Sequence, residues 1–162
     1  MRIRGLMIDP ASNMPVVVLK DVASDTVMPI WVGIFEAQAI GMEIERLALP
    51  RPMTHDLTRN LIRHLNARLE RVVISELKEK DGTFYAVLWL RQGDDPIAID
   101  ARPSDAIALA LRADCPMFVS EQVMQTAKLN AIDTPENRTA ESKQMRDWLE
   151  TLNDEDMGRY KM

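Results

Sequence analysis

A single cysteine, Cys115, leaves no internal disulfide to form, and a chain without disulfides fits a reducing compartment such as the cytoplasm. Cys115 itself reads as a small, partly buried hydrophobe rather than a nucleophile. Long apolar runs are missing too. The longest, such as residues 15–19 and 84–90, are strand-sized and fall far short of the roughly 20 residues that cross a bilayer, so no membrane partner is expected. Arg2, Arg4 and Asp9 break up the amino-terminal stretch, which therefore does not read as an export signal. With only His55 and His64 beside that one cysteine, no zinc cluster can be assembled. Glycine-rich phosphate loops, Gly-x-Ser-x-Gly elbows and runs of aromatics for stacking on single strands are likewise missing, and no organic cofactor is indicated. A formal charge of −5 argues against a surface that grips phosphate everywhere.

What is present is enough for one ordinary domain. A chain of 162 residues, 46% of them hydrophobic, can bury a core of normal size. The charge is unevenly placed. Between positions 46 and 71 stand Arg46, Arg51, Arg59, Arg63, Arg68 and Arg71 against Asp56 and Glu70, so this segment carries +4 and the remainder −9. A local basic face on an acidic protein is thus available.

Residues 3–8 read as a strand, turn chemistry follows at Asp9, Pro10, Ser12 and Asn13, and the β-branched run at 16–19 completes a hairpin. A third strand is expected at 27–32, where Pro29 calls for an edge or a bulge. Ala37, Ile40, Ile44 and Leu47 then recur at helical spacing. A second helix is expected over 54–69, with Leu57, Leu61 and Leu65 as its apolar stripe and Arg59 and Arg63 opposite as a solvated face. The succession recurs: strands at 71–78 and 83–90 joined through Asp81 and Gly82, a third at 96–100, a helix from Pro103 to about Ala113, and another from Ser120 to about Lys128. Ile40 and Ile107 differ by 67 positions, Val18 and Val87 by 69. The fold class expected is therefore α+β: an internally duplicated β-β-β-α-type unit, with halves at about 3–69 and 71–129, forming a twisted antiparallel or mixed sheet system with packed helices. Residues 1–132 make the domain. Residues 133–162 form an extension in which Met145, Trp148, Leu149 and Leu152 trace an amphipathic helix, packed on its own domain or across a homodimer.

Three blocks carry a resemblance. They are Pro29-Ile30-Trp31-Val32-Gly33 followed by Phe35-Glu36-Ala37-Gln38-Ala39-Ile40, then Arg51-Pro52-Met53-Thr54-His55-Asp56-Leu57, and finally Ile99-Asp100-Ala101-Arg102-Pro103-Ser104-Asp105 continuing to Ala110. Together, and in this order, they resemble the signature blocks of the bifunctional nuclease family over roughly residues 3–128. The resemblance implies a small intracellular α+β protein with internal duplication and activity on DNA and RNA. It brings no catalytic residues with it, so the candidates come from chemistry.

Phosphodiester cleavage draws on carboxylates that hold a divalent cation such as Mg or Mn, a group that activates water, and cations that stabilise charge on the phosphorus oxygens. The blocks supply candidates for each task. Glu36, Asp100 and Asp105 are the tentative metal ligands, His55 or Asp56 assists water, and Arg102 stands beside the phosphorus. Gln38, Arg51, Arg59, Arg63 and Ser104 are candidates for binding DNA or RNA. Capping explains several of the same residues, because Asp100, Ser104 and Asp105 surround a helix start and Thr54, His55 and Asp56 open another. Two readings follow: a nuclease with its site between the halves, and a noncatalytic, dimeric binding or regulatory module for an anionic ligand or a protein.

Overall fold

The computed structural model describes residues 1–10, 12–78 and 82–132, with side chains given through residue 126. The extension expected on Met145, Trp148, Leu149 and Leu152 lies outside the described residues.

Strands β1 (Arg2–Ile8), β2 (Pro15–Lys20) and β3 (Val27–Trp31) form an antiparallel meander in the order β1-β2-β3. Asn13 takes the left-handed conformation that closes the first turn, φ 57°. Pro29 lies on β3, which is an edge strand, as its missing N–H requires. Helix α1 (Ile34–Ile44) and helix α2 (Thr54–His64) follow. Strands β4 (Ala67–Lys78), β5 (Thr83–Gln92) and β6 (Asp95–Ala101), helix α3 (Pro103–Ala113), strand β7 (Met117–Val119) and helix α4 (Glu121–Ile132) complete the described chain. The second sheet has the order β6-β5-β4-β7, with β7 parallel to β4 and the other pairs antiparallel. The architecture is α+β with one antiparallel and one mixed sheet.

A single apolar cluster spans both sheets. Val17, Leu19 and Ile30 from the first sheet, Val72, Ile74 and Leu88 from the second, Ala37 and Ile40 of α1, and Ile107 and Leu109 of α3 all belong to it. Helices α1 and α3 are therefore the inner pair. Each half runs β-β-β-α-α, with β7 added in the second, and Ile40 and Ile107 are both fully buried on the first helix of their half. Duplication as an origin for this order is a proposal, addressed by superposing residues 3–64 on 71–128.

Three expectations need correction. The second helix stops at His64 rather than 69, because Asn66 adopts a left-handed conformation, φ 56°, and strand β4 starts at Ala67. The orientation of α2 is also the reverse of the one expected. Leu57, Leu61 and Leu65 are 51%, 55% and 64% exposed, and α2 buries no residue fully. It is held through its polar face instead, where His55, Asp56 and Arg59 bond to α3. Similarly, the apolar stripe of α1 ends early: Ala37, Ile40 and Gly41 are buried, but Ile44 and Leu47 stand exposed where Arg46 turns the chain with φ 53°.

Candidate functional site

Three helix starts meet at one place. Glu36 is the third residue of α1, His55 the second of α2 and Asp105 the third of α3, while Arg102 caps α3 from the position before Pro103. Pro103 suits the first helical position because its missing N–H is one that no helix bond would use. The guanidinium of Arg102 forks onto Asp105, with Nε 2.7 Å from Oδ2 and a second nitrogen 3.2 Å from Oδ1. A terminal nitrogen also lies 2.8 Å from Glu36 Oε1, so Arg102 bridges carboxylates from two helices. His55 Nε2 is 2.9 Å from Asp105 Oδ1, and its side chain is 14% exposed. If Nε2 carries the proton given to Asp105, Nδ1 keeps a lone pair.

Gly33, the N-cap of α1, has a local reason to be glycine. Its φ of −69° is open to any residue, but a Cβ there would fall on the Glu36 carboxylate. The missing side chain lets Glu36 fold back toward its own helix start, where it meets Arg102.

Asp56 stands next to His55 but is engaged elsewhere. Its Oδ2 accepts the Met53 N–H at 2.9 Å, capping α2, and its Oδ1 accepts Arg112 Nε at 2.7 Å. Both oxygens are thus occupied within the fold. Arg112, whose side chain is 3% exposed, also donates to the carbonyls of Ala108 and Ala39 at 3.0 Å each, tying α1, α2 and α3 together. The sequence reading passed over Arg112. Its signal was an arginine inside the apolar run of α3, four residues after Ala108 and eight after buried Ser104, a face the helix has no means of solvating.

Of the other candidates, Asp100 is exposed on the edge strand β6, opposite Val87, and joins neither Glu36 nor Asp105. Gln38 is exposed on α1, and Ser104 is buried at the start of α3. Arg51 lines a cleft of about 300 Å³ with Glu43, Asp56, Arg59 and Arg112. Arg59 and Arg63 line a second cleft of about 300 Å³ between α2, α3 and β4. The residues present do not fit a divalent ion as they stand: the Arg102 guanidinium already lies between the carboxylates of Glu36 and Asp105. Among the described residues no three of His, Cys, Asp and Glu are grouped so as to hold a metal.

The electrostatics favour an ionised Asp105. Burial works against its charge, but Arg102 and His55 outweigh burial and hold its carboxyl below the ordinary aspartate range. Arg102 is correspondingly held more firmly protonated by Asp105 and Glu36. Asp56 follows the same pattern, with burial opposed by the Met53 N–H and Arg112. The array of Glu36, Asp105 and Arg102 carries one net negative charge, against which three helix N-termini contribute about half a positive charge each. The place where they converge is therefore close to neutral or slightly positive despite its carboxylates. Cys115 takes no part: burial pushes its thiol up to about 11. No helix among the described residues is long and apolar enough to cross a membrane.

Comparison with known proteins bears on this array. The family description "Bifunctional nuclease domain" matches residues 17–131. An uncharacterized protein of Mycobacterium tuberculosis strain H37Rv is 37% identical over 161 residues, covering 96% of this chain and 95% of its own length. Bifunctional nuclease 1 of Oryza sativa subsp. japonica is 24% identical over 140 residues, 84% of this chain but 42% of the rice protein. The Bifunctional nuclease of Oryza minuta matches to the same extent.

Proposed function

Since the chain belongs to the bifunctional nuclease domain family, we propose that it hydrolyses phosphodiester bonds of DNA or RNA at the His55–Asp105 pair. The observation that carries this reading is the ordered series Glu36, Arg102, Asp105 and His55, drawn from three helix starts. Asp105 orients the imidazole and stabilises it once protonated, as a carboxylate does for a general base. His55 Nδ1 takes a proton from water as that oxygen bonds to phosphorus, and the same proton passes to the leaving oxygen as the P–O bond breaks. Arg102, the most exposed member at 65%, and the three helix starts stabilise charge on the remaining phosphorus oxygens. Glu36 positions Arg102. A metal-assisted route with Mg or Mn requires Arg102 to withdraw from between Glu36 and Asp105.

The test uses purified chain on single-stranded DNA and RNA, with chelator and divalent-ion arms. Folded Asp105→Asn and His55→Gln proteins are expected to lose roughly 10²- to 10⁴-fold in rate, the usual weight of a general base. Cleavage at the wild-type rate by both would refute the assignment.

The second reading, a noncatalytic binding module, is favoured by the outward Leu57, Leu61 and Leu65 stripe, which is a docking face without a partner among the described residues. Under it, wild-type protein free of contaminating nucleases would cleave nothing, and a Leu61→Glu variant would lose an association that the wild type shows by sedimentation.

A further inference from the structure

His55 is the first of three residues in line on one face of α2. Arg59 and Arg63 follow at i+4 and i+8, so each step advances about 6 Å along the helix axis, the order of the spacing between neighbouring phosphates in an extended strand. Helix α3 runs alongside in the same direction, since Asp105 faces His55 near the helix starts and the Arg112 carbonyl faces Arg59 farther on. The seam between them opens into the second cleft, lined by Arg59, Arg63, Arg68 and Arg112 and by no carboxylate.

Two of those four charges are already answered. Arg112 is paired with Asp56, and Arg68 with Glu70. Arg59 and Arg63 have no ion pair among the described residues. Arg59 is moreover under-satisfied: its Nε is buried without an acceptor, and its two hydrogen bonds, to the Arg112 carbonyl at 3.4 Å and to Asn60 Oδ1 at 3.3 Å, are long. Re-aiming it toward an anion gives up little. Arg63, in the last turn of α2, offsets the dipole of its own helix, which accounts for a basic residue there. The dipole does not account for Arg59, in mid-helix, whose charge acts on Asp56, a carboxylate already bonded to Arg112 and to the Met53 N–H, or for a second cleft lined by no acid.

We propose that the α2–α3 seam is a phosphate track, on which a single-stranded phosphodiester chain sets one phosphate at His55 and the next two at Arg59 and Arg63. The inference deepens the nuclease reading and rests on it for the placement of the first phosphate. A single strand is flexible enough to bring successive phosphates to residues spaced about 6 Å apart along a helix, and the duplex is the comparison arm of the binding test. The substrate class is then an oligonucleotide with at least three consecutive phosphates, and a dinucleoside monophosphate reaches only His55.

Binding, measured apart from cleavage, tests the track. Fluorescence anisotropy with labelled oligothymidylates and oligouridylates of increasing length, titrated over salt, reads the number of phosphate contacts as the slope of log affinity against log salt. For wild type the slope is expected to steepen up to three phosphates. In the Arg59→Gln, Arg63→Gln double variant it should fall by about 1.4, at roughly 0.7 per lost contact on a single strand. Arg63→Gln alone, at an exposed position, gives half that change with an unaltered melting temperature, so a misfolded double variant does not decide the matter. An unchanged slope in folded Arg63→Gln, or no dependence on length in wild type, overturns the track. Either result leaves the cleavage test at His55 and Asp105 standing, whereas undiminished cleavage by the His55 and Asp105 variants with the track intact would fault the catalytic assignment alone.

Discussion

Replacing Arg112 with Met should destabilise the protein more than any change at the exposed arginines. The substitution keeps most of the apolar stem, so little cavity forms, but it removes one charge-assisted bond to Asp56 at 2.7 Å and the donors to the Ala39 and Ala108 carbonyls. Breaking one side of a buried ion pair costs about 3–5 kcal/mol. The Asp56 side chain is 25% exposed, so water recovers part of its solvation, and about 2–4 kcal/mol is the expected loss. For a domain of this size each kcal/mol lowers the melting point by roughly 2–4 °C, which gives a fall of about 5–15 °C. Urea unfolding followed by circular dichroism should show a lower midpoint with an unchanged slope. The double variant with Asp56→Asn should lose less than the two single losses combined, since both act on one bond. A midpoint for Arg112→Met equivalent to within about 0.5 kcal/mol of wild type would refute the claim that Arg112 locks the three helices.

Gly33→Ala should fold, because the backbone there is unstrained, yet displace the Glu36 carboxylate and weaken the Glu36–Arg102 bridge, with a melting temperature close to wild type and a reduced rate; unchanged activity would mean that Glu36 does not position Arg102. Asp105 and Asp56 have lowered folded-state values, so the stability they contribute is complete above the ordinary aspartate value of 3.8 and drains away as pH falls below it. Acid unfolding monitored by fluorescence should accordingly move to higher pH in Asp105→Asn, and identical acid profiles would contradict the lowered values. Cys115, with its thiol at about 11, should react with iodoacetamide at pH 8 far more slowly than a free cysteine, and fast labelling of folded protein would contradict the burial.

Much of the fold is legible in the sequence because its signals are local. A β-branched run marks β2, burial alternates along the apolar run of β5, Pro103 marks the start of α3, and Pro29 announces an edge. The orientation of α2 is not local. Periodicity says that Leu57, Leu61 and Leu65 share a face, but the partners that turn the opposite face inward, Asp105 and Arg112, lie about 50 residues away. At the candidate site the residues that converge, Glu36, His55, Arg102 and Asp105, are those standing at helix starts, and two of those starts are readable from Thr54 and Pro103. Asp100 precedes its helix by three positions and stays with its strand. Asp56, one position from His55, faces a different arginine, since neighbouring helical residues are turned about 100° apart.

The four margins of the two sheets share a property. Strand β1 is broken by a register shift between Ile3 and Gly5, β3 carries Pro29, β6 carries Pro96 and β7 is three residues long. Each interruption removes or misaligns the row of backbone donors and acceptors that an incoming strand would read. The protein is thereby poorly suited to growth by strand addition, whether into amyloid-like ladders or by threading an extended peptide onto an edge. Contacts made through the described sheet margins are left to side chains rather than to backbone ladders.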